Sequence, residues 1–262
     1  MCNRLITVLA LLLLNSTIIK SQTSNLNPQN NSLKLQITLV ELNCENLFDC
    51  QHDEGKEDYE FLAGGGRYWS RTKYWRKLNN IGQAILSCYD KLPDLVALCE
   101  VENDTVLHDL TRRSLLRNAG YEYLMTESPD VRGIDVALLY QPRHFQPVCY
   151  DYIAVEPLTG MRPTRDILYV RGRIPRSNDT LHVFVVHAPS RYGGEKETRP
   201  FRQQVSRKLA EAVAQLRGEK IVVTGDFNDY YNNASLRYLE REAHLTNVTK
   251  HAVGINGSKG NY

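Results

Sequence analysis

The chain has 262 residues, of which 42% are hydrophobic and 24% charged; this excludes a disordered polymer and leaves room for one large domain with a substantial core. Its 32 basic side chains stand against 30 acidic ones, and removing Arg4 and Lys20 with the N-terminal segment leaves 30 against 30, so bulk charge predicts no affinity for polyanions. Six cysteines at positions 2, 44, 50, 88, 99 and 149 form no Cys-x-x-Cys pair and stand beside no His pair, which argues against a zinc site.

In chain order, Arg4 precedes an apolar run from Leu5 to Leu14 broken only by Thr7. A charged start and a short apolar centre predict a secretory signal peptide over residues 1–24, too short to span a bilayer comfortably. The expected location is therefore exported, periplasmic or extracellular in a bacterium, with no transmembrane segment after cleavage. A polar stretch, residues 25–32, reads as a flexible leader, and residues 33–262 as one domain. Leu33, Leu35, Ile37 and Leu39 alternate with polar residues as in a strand with one buried face. Trp75, Leu78, Ile85 and Leu86 take helical spacing between Thr72 and Tyr89, and Pro93 then restarts the chain as the apolar strand 94–99. Asn103 or Asp104 suits the cap of a second helix through Arg117, closed by Gly120. Strands are expected at Ile134–Tyr140, Ile167–Arg173 and Leu181–Val186. A helix follows from about Pro200 to Leu216, and a last strand, Ile221–Thr224, after Gly218. Several strands succeed one another with no helix between them, which predicts a mixed sheet or two stacked sheets flanked by helices rather than one doubly wound sheet.

Four strand exits carry the same kinds of side chain: Asn43, Glu100, His187, and Asp226 with Asn228. In α/β sheets, ligands bind beyond the carboxyl ends of strands, so these residues would converge there. Gly225 frees the exit of the last strand from a Cβ, and Asp226 and Asn228, two apart, would point to one side of an extended backbone. A carboxylate and an amide at such an edge suit a hard cation and its water. Arg67, Arg71, Lys73, Arg76 and Lys77 form one basic cluster, and Arg162, Arg165, Arg171 and Arg173 another. Tyr68, Trp69, Tyr74 and Trp75 lie among the first cluster, where aromatic rings would stack on bases unless helical packing claims them.

Five motifs in this order resemble the endonuclease/exonuclease/phosphatase superfamily, the group similar to deoxyribonuclease I. They are Asn43-x-x-Asn46-Leu47, Pro93-Asp94-Leu95 with Glu100, Gly133-x-x-Val136-Ala137-x-Leu139-Tyr140, His187-x-x-Ser190-Arg191, and Gly225-Asp226-Phe227-Asn228. The resemblance implies a four-layer α/β sandwich of two packed mixed sheets flanked by helices. It also implies hydrolysis of phosphodiester bonds with Mg²⁺, or Mn²⁺ or Ca²⁺ in its place, most simply by an endonuclease-like nuclease acting on nucleic acid or another phosphodiester, with no stable protein partner. Glu100 would be the metal ligand and Asp226 would orient or deprotonate the attacking water. Asn228 and Asn43 would hold that water, the metal shell or a phosphate oxygen, His187 would donate to the phosphate or the leaving group, and Arg165 would contact phosphate.

The superfamily's further Asp-His pair after Gly-Asp-Phe-Asn has no counterpart here. The resemblance therefore leads to the expectation of a C-terminally incomplete domain whose last strands are missing. It leaves two alternatives: an impaired module that binds phosphate or nucleic acid, and a phosphodiesterase or phosphatase for lipid headgroups. A serine hydrolase built on Ser190, His187 and Asp226 ranks behind them, because Ser190 has no Gly-x-Ser-x-Gly elbow.

Overall fold

The computed structural model describes residues 15–17, 37–88 and 90–250. Among the described residues nine strands form two sheets. The first holds β1 (Asn15–Thr17), β2 (Leu39–Leu47), β3 (Leu95–Val101), β4 (Glu122–Met125) and β5 (Asp135–Tyr140), in the order β1-β2-β3-β5-β4. The second holds β6 (Gln146–Ile153), β7 (Ile167–Ile174), β8 (Asp179–His187) and β9 (Ile221–Asp226) in sequential order. Both are mixed: β2 runs parallel to β3 and β8 parallel to β9, and the other pairs are antiparallel.

Period-2 alternation sorts the strand residues into layers. Leu39, Leu95, Ala97, Cys99, Val136 and Leu138 of the first sheet meet Leu168, Val170, Val183 and Val185 of the second in a core between the sheets. On the outer face of the first sheet, Val40, Leu42, Val96 and Leu98 pack against α1 (Arg71–Ser87) and α2 (Asp104–Arg112). On the outer face of the second, Phe184 and Val186 pack with Val205 and Leu209 of α3 (Glu195–Ala214) and Leu239 of α4 (Ala234–Glu242). The result is the expected four-layer sandwich, helices over sheet over sheet over helices.

Local chemistry explains several helix boundaries. Ser70 caps α1 by accepting from the Lys73 amide, and Asn103 caps α2 by accepting from Val106. The second helix stops at Arg112 rather than reaching Arg117. Thr111 Oγ1 donates to the Leu107 carbonyl and Ser114 Oγ to that of Leu110, so side chains compete with the backbone ladder just where the helix ends. Helix α3 begins at Glu195, five residues before the expected start, and runs through Pro200. Proline forfeits one backbone bond near the helix start, and the Glu195–Arg199 ion pair spans that turn. The first core strand starts at Leu39 and continues through Asn43 to Leu47; of the expected alternating strand, residues 33–36 lie outside the described residues and Ile37 and Thr38 are not in a strand. The expected signal peptide and leader also lie outside them, apart from β1, and among the described residues no helix is long and apolar enough to cross a membrane. Cys44, Cys50, Cys88, Cys99 and Cys149 are free thiols.

Gly225 is the tightest point of the second sheet. Its φ is +131°, and a Cβ built there would lie 1.9 Å from the Val186 carbonyl oxygen. Gly225→Ala is expected to lower unfolding stability by about 1–3 kcal/mol through strain and displacement of β8 from β9. Urea denaturation with an unchanged slope would measure it, and a wild-type midpoint would refute the close approach.

Candidate active site

Two parallel strand pairs bring four of the singled-out residues to one rim. In the first sheet, Asn43 of β2 is in register with Cys99, the residue before Glu100. In the second, His187 of β8 is in register with Asp226 of β9. Alternation turns Asn43, His187 and Asp226 toward the gap between the sheets.

Glu100 reaches that gap by a different route. Strand β3 pairs Cys99 with Val136 and Val101 with Asp135 on β5, so Glu100 is an extra, unpaired residue. This bulge holds Glu100 at φ 60° and restores Val101 to the helix-facing core beside Leu98. Bulges re-aim side chains in this way. Glu45 and Asn46, opposite on β2, also have positive φ, of 50° and 66°, where the β2–β3 register shifts.

Polar contacts then cross from sheet to sheet. Asn43 Nδ2 donates to Asp226 Oδ2 at 2.9 Å, and His187 Nε2 lies 3.6 Å from Glu100 Oε1. Just below, Cys99 Sγ donates to the Val186 carbonyl at 3.5 Å. Asn228, at φ 50°, donates its backbone amide to Asp226 Oδ1 at 2.8 Å and its side-chain amide to the Ala188 carbonyl at 3.0 Å.

The electrostatics follow from burial. Asp226 is raised above the usual carboxylate range chiefly by desolvation, opposed by the bonds from Asn228 and Asn43 and by the charge of Arg165. His187, 3% exposed, is held well below the ordinary imidazole value by burial and by the cations Arg165 and Arg132. It is therefore neutral at neutral pH, and its Nδ1 has no hydrogen-bond partner among the described residues. Glu100 accepts no hydrogen bond among them although its side chain is only 13% exposed, and its other neighbour is Arg132 Nη2 at 3.9 Å. A sheltered carboxylate left without donors fits the ligand of a hard cation. No group of three or more His, Cys, Asp or Glu side chains that could hold a metal ion occurs among the described residues.

Arg165 lies behind the rim. It is 8% exposed, with Nη1 on Asp130 Oδ2 at 3.0 Å and Nη2 on the Ala188 carbonyl at 2.8 Å. Its guanidinium acts on the site through its charge and by fixing the same carbonyl that Asn228 holds. Sequence reasoning passed over Arg132, which the loop before β5 brings to Glu100, and Glu41, which alternation buries between the sheets two residues before Asn43. Glu41 is pushed up to about 8 by burial and then by Asp226, and its Oε1 has no partner among the described residues. Of the aromatic residues near the first basic cluster, Tyr74 bonds Asp109, Trp69 bonds the Phe48 carbonyl and Trp75 packs on the core under Arg113. Tyr68 alone of these is largely exposed, at 77%. Ser190 Oγ accepts from the Tyr192 amide while His187 faces Glu100, an arrangement that offers no Ser-His couple.

A family model described as Endonuclease/Exonuclease/phosphatase family matches residues 38–253. The chain belongs to that family. Members of this family are hydrolases of phosphoesters. No curated protein matches the sequence. Among solved structures, the human Nocturnin catalytic domain with bound sulfate superposes with a TM-score of 0.53 at 20% identity, covering 68% of this chain and 65% of that one. The mannosyl-6-phosphatase Bt3783 of Bacteroides thetaiotaomicron gives 0.54 at 17% identity, covering 78% and 69%. A β-hairpin deletion mutant of Staphylococcus aureus beta toxin gives 0.56 at 14% identity, covering 80% and 73%. At these identities the likeness is one of fold, and the chain spans just under two thirds of the Nocturnin domain's length. The family's four-layer sandwich is the architecture described above.

Burial of Glu41 has a measurable cost. Its folded-state pKa lies above the unfolded value of 4.5, so the folded chain binds the extra proton and stability falls as pH rises from about 4.5 to about 8. Asp226 shifts in the same direction. Glu41→Gln should flatten that decline, melting above wild type at pH 9 and close to it at pH 5, as read by thermal denaturation; parallel curves at both pH values would contradict a protonated Glu41.

Proposed function

We propose that the chain is a Mg²⁺-dependent phosphodiesterase acting on nucleic acid, with its reaction centre at the rim shared by the two sheets. The observation that carries this reading is the pair of cross-sheet contacts, Asn43 to Asp226 and Glu100 to His187, on adjacent strand exits. Hydrolysis of a phosphodiester needs an in-line water, neutralisation of charge on the non-bridging oxygens and help for the departing oxygen. Mg²⁺ held at Glu100 would supply that charge neutralisation.

The side chains divide the remaining work. Asp226, with one oxygen on Asn43 and the other on the Asn228 amide, is aimed and partly desolvated, which strengthens it as the base that orients and deprotonates water. Asn43 spends Nδ2 on Asp226 and accepts the Glu45 amide at Oδ1, so its part is to hold Asp226 at the phosphate. His187 is neutral in the free protein and is suited to donate a hydrogen bond to a phosphate oxygen. An anionic substrate would draw its pKa upward and favour proton delivery to the leaving group. Arg132, with its side chain 43% exposed beside Glu100, supplies a cation for the same phosphate or the next. Nucleic acid is favoured over a small phosphomonoester by Tyr192, which is 92% exposed five residues after His187 and offers a face for base stacking. Export, inferred from the apolar N-terminal run, completes the reading.

A panel of plasmid DNA, RNA, bis-p-nitrophenyl phosphate, sugar phosphates and phospholipid headgroups, each with Mg²⁺ and with EDTA, tests it. The expected result is Mg²⁺-dependent cleavage of the nucleic acids and the model diester, with Glu100→Ala lowering kcat/KM by at least about 100-fold. Turnover that persists in EDTA, or is indifferent to Glu100→Ala, would refute it, and binding of nucleic acid without turnover would favour a binding module instead.

A further inference from the structure

Beside the rim, α3 carries an arginine where its packed face should be apolar. Arg202 is 1% exposed, among the largest fully buried side chains described. Burying a guanidinium costs several kcal/mol unless partners surround it, and here they come from three segments. Arg202 Nε lies 2.8 Å from Asp229 Oδ1, off the line of a straight hydrogen bond, as an ion pair. Nη1 donates to Thr198 Oγ1 at 2.8 Å and to the Ser190 carbonyl at 3.4 Å, and Nη2 to the Glu195 carbonyl at 3.2 Å. The Glu195 carboxylate adds a contact at 3.6 Å.

Asp229, itself 3% exposed, is shared. Its Oδ1 also accepts from Arg191 Nη2 at 2.9 Å, and its Oδ2 from Ser235 Oγ at 2.5 Å. Arg191 in turn donates Nε to the Asn228 carbonyl at 2.9 Å and Nη2 to Asn233 Oδ1, and its guanidinium stacks 4.9 Å over the Tyr230 ring. Two cations thus share one buried carboxylate and join the exit of β8, the first turns of α3 and the exit of β9. The residue at the centre of that junction is Asn228, gripped on its carbonyl by Arg191, on its side chain by Ala188 and through its amide by Asp226. Its left-handed backbone is uncommon for a residue other than glycine and persists when the surroundings over-determine it.

We propose that the Arg191–Asp229–Arg202 cluster is a positioning device for the reaction, which fixes the Asn228 backbone and through it the direction of the Asp226 carboxylate. Arg202 and Asp229 touch no substrate and act through their neighbours. The inference rests on the proposed hydrolytic role of Asp226 and adds residues that the five motifs leave out, apart from Arg191.

Steady-state kinetics on the Mg²⁺-loaded full chain tests it, with a plasmid or bis-p-nitrophenyl phosphate substrate. A carboxylate misdirected by about 1 Å loses rate on the order of 100-fold. Asp229→Ala should therefore lower kcat by about that factor with KM changed less than about threefold, and Asp229→Asn, which keeps one oxygen acceptor, should recover about tenfold of the loss. Arg191→Ala, at a less buried position, should keep the fold and lower kcat about tenfold, again with little change in KM. A purely structural role would lower the melting temperature of these variants and leave kcat of the folded fraction at the wild-type level, and that outcome would overturn the proposal. If the wild type turns over no phosphodiester, or Glu100→Ala has no effect, the hydrolytic reading fails first and takes the positioning role with it. Wild-type activity with unaffected Asp229→Ala and Arg191→Ala variants rejects the cluster alone.

Discussion

Everything at the rim depends on the meeting of two sheets whose parallel strand pairs end at the same level. The apolar core beneath, from Leu95, Ala97 and Cys99 to Val183 and Val185, sets the spacing across the gap. Alternation then decides which exit residues look inward. Two local departures from regular sheet geometry finish the arrangement: the bulge that inserts Glu100, and the close approach of Gly225 to β8. Without the bulge, strict alternation would turn Glu100 toward the helices and leave His187 facing an apolar wall.

The same rim gathers an unusual amount of polarity into a sheltered space. Asp226, Glu41 and Glu100 stand on one side of the balance and Arg165 and Arg132 on the other. Desolvation lifts the first two carboxyls and depresses His187. Opposed shifts of this kind are enriched at functional sites, which agrees with the proposed role of the rim. A phosphate and its cation would bring the charges that His187 Nδ1 and Glu100 lack. Stability is spent there in return, since Glu100, Asn228, Glu45 and Asn46 all sit at positive φ, which fits the tendency of strained backbone to cluster at functional sites.

Much of this was legible in the sequence because it is periodic or local. The apolar runs before Glu100, His187 and Asp226 predict buried strands, the absence of a helix between successive strands predicts a mixed sheet or two stacked sheets, and the cap of α2 is narrowed to Asn103 or Asp104. Position along a strand also told which end each polar residue occupies. What stayed hidden depends on partners far away in the chain. A bulge at Glu100 needs the register of β3 on β5. The burial of Glu41 and Arg165 needs the second sheet on top of the first, and Arg202 reads as a surface residue of an amphipathic helix until Asp229 is placed beneath it. Strand β6, exposed along most of its length, lacks the one-sided apolar pattern that betrays a strand, and the end of α2 was set by hydroxyls competing for carbonyls rather than by Gly120.

In the proposed function one divalent ion, held by Glu100, would sit between the two sheets within reach of residues from both. Titrating the protein with Mn²⁺ and following paramagnetic broadening of the His187 imidazole and of the Asn43 and Asn228 side-chain amides by NMR tests this directly. All three sets of signals should broaden together at substoichiometric Mn²⁺, excess Mg²⁺ should restore them, and Glu100→Gln should abolish the effect. Broadening confined to one sheet, or no broadening until the ion is in large excess, would contradict it.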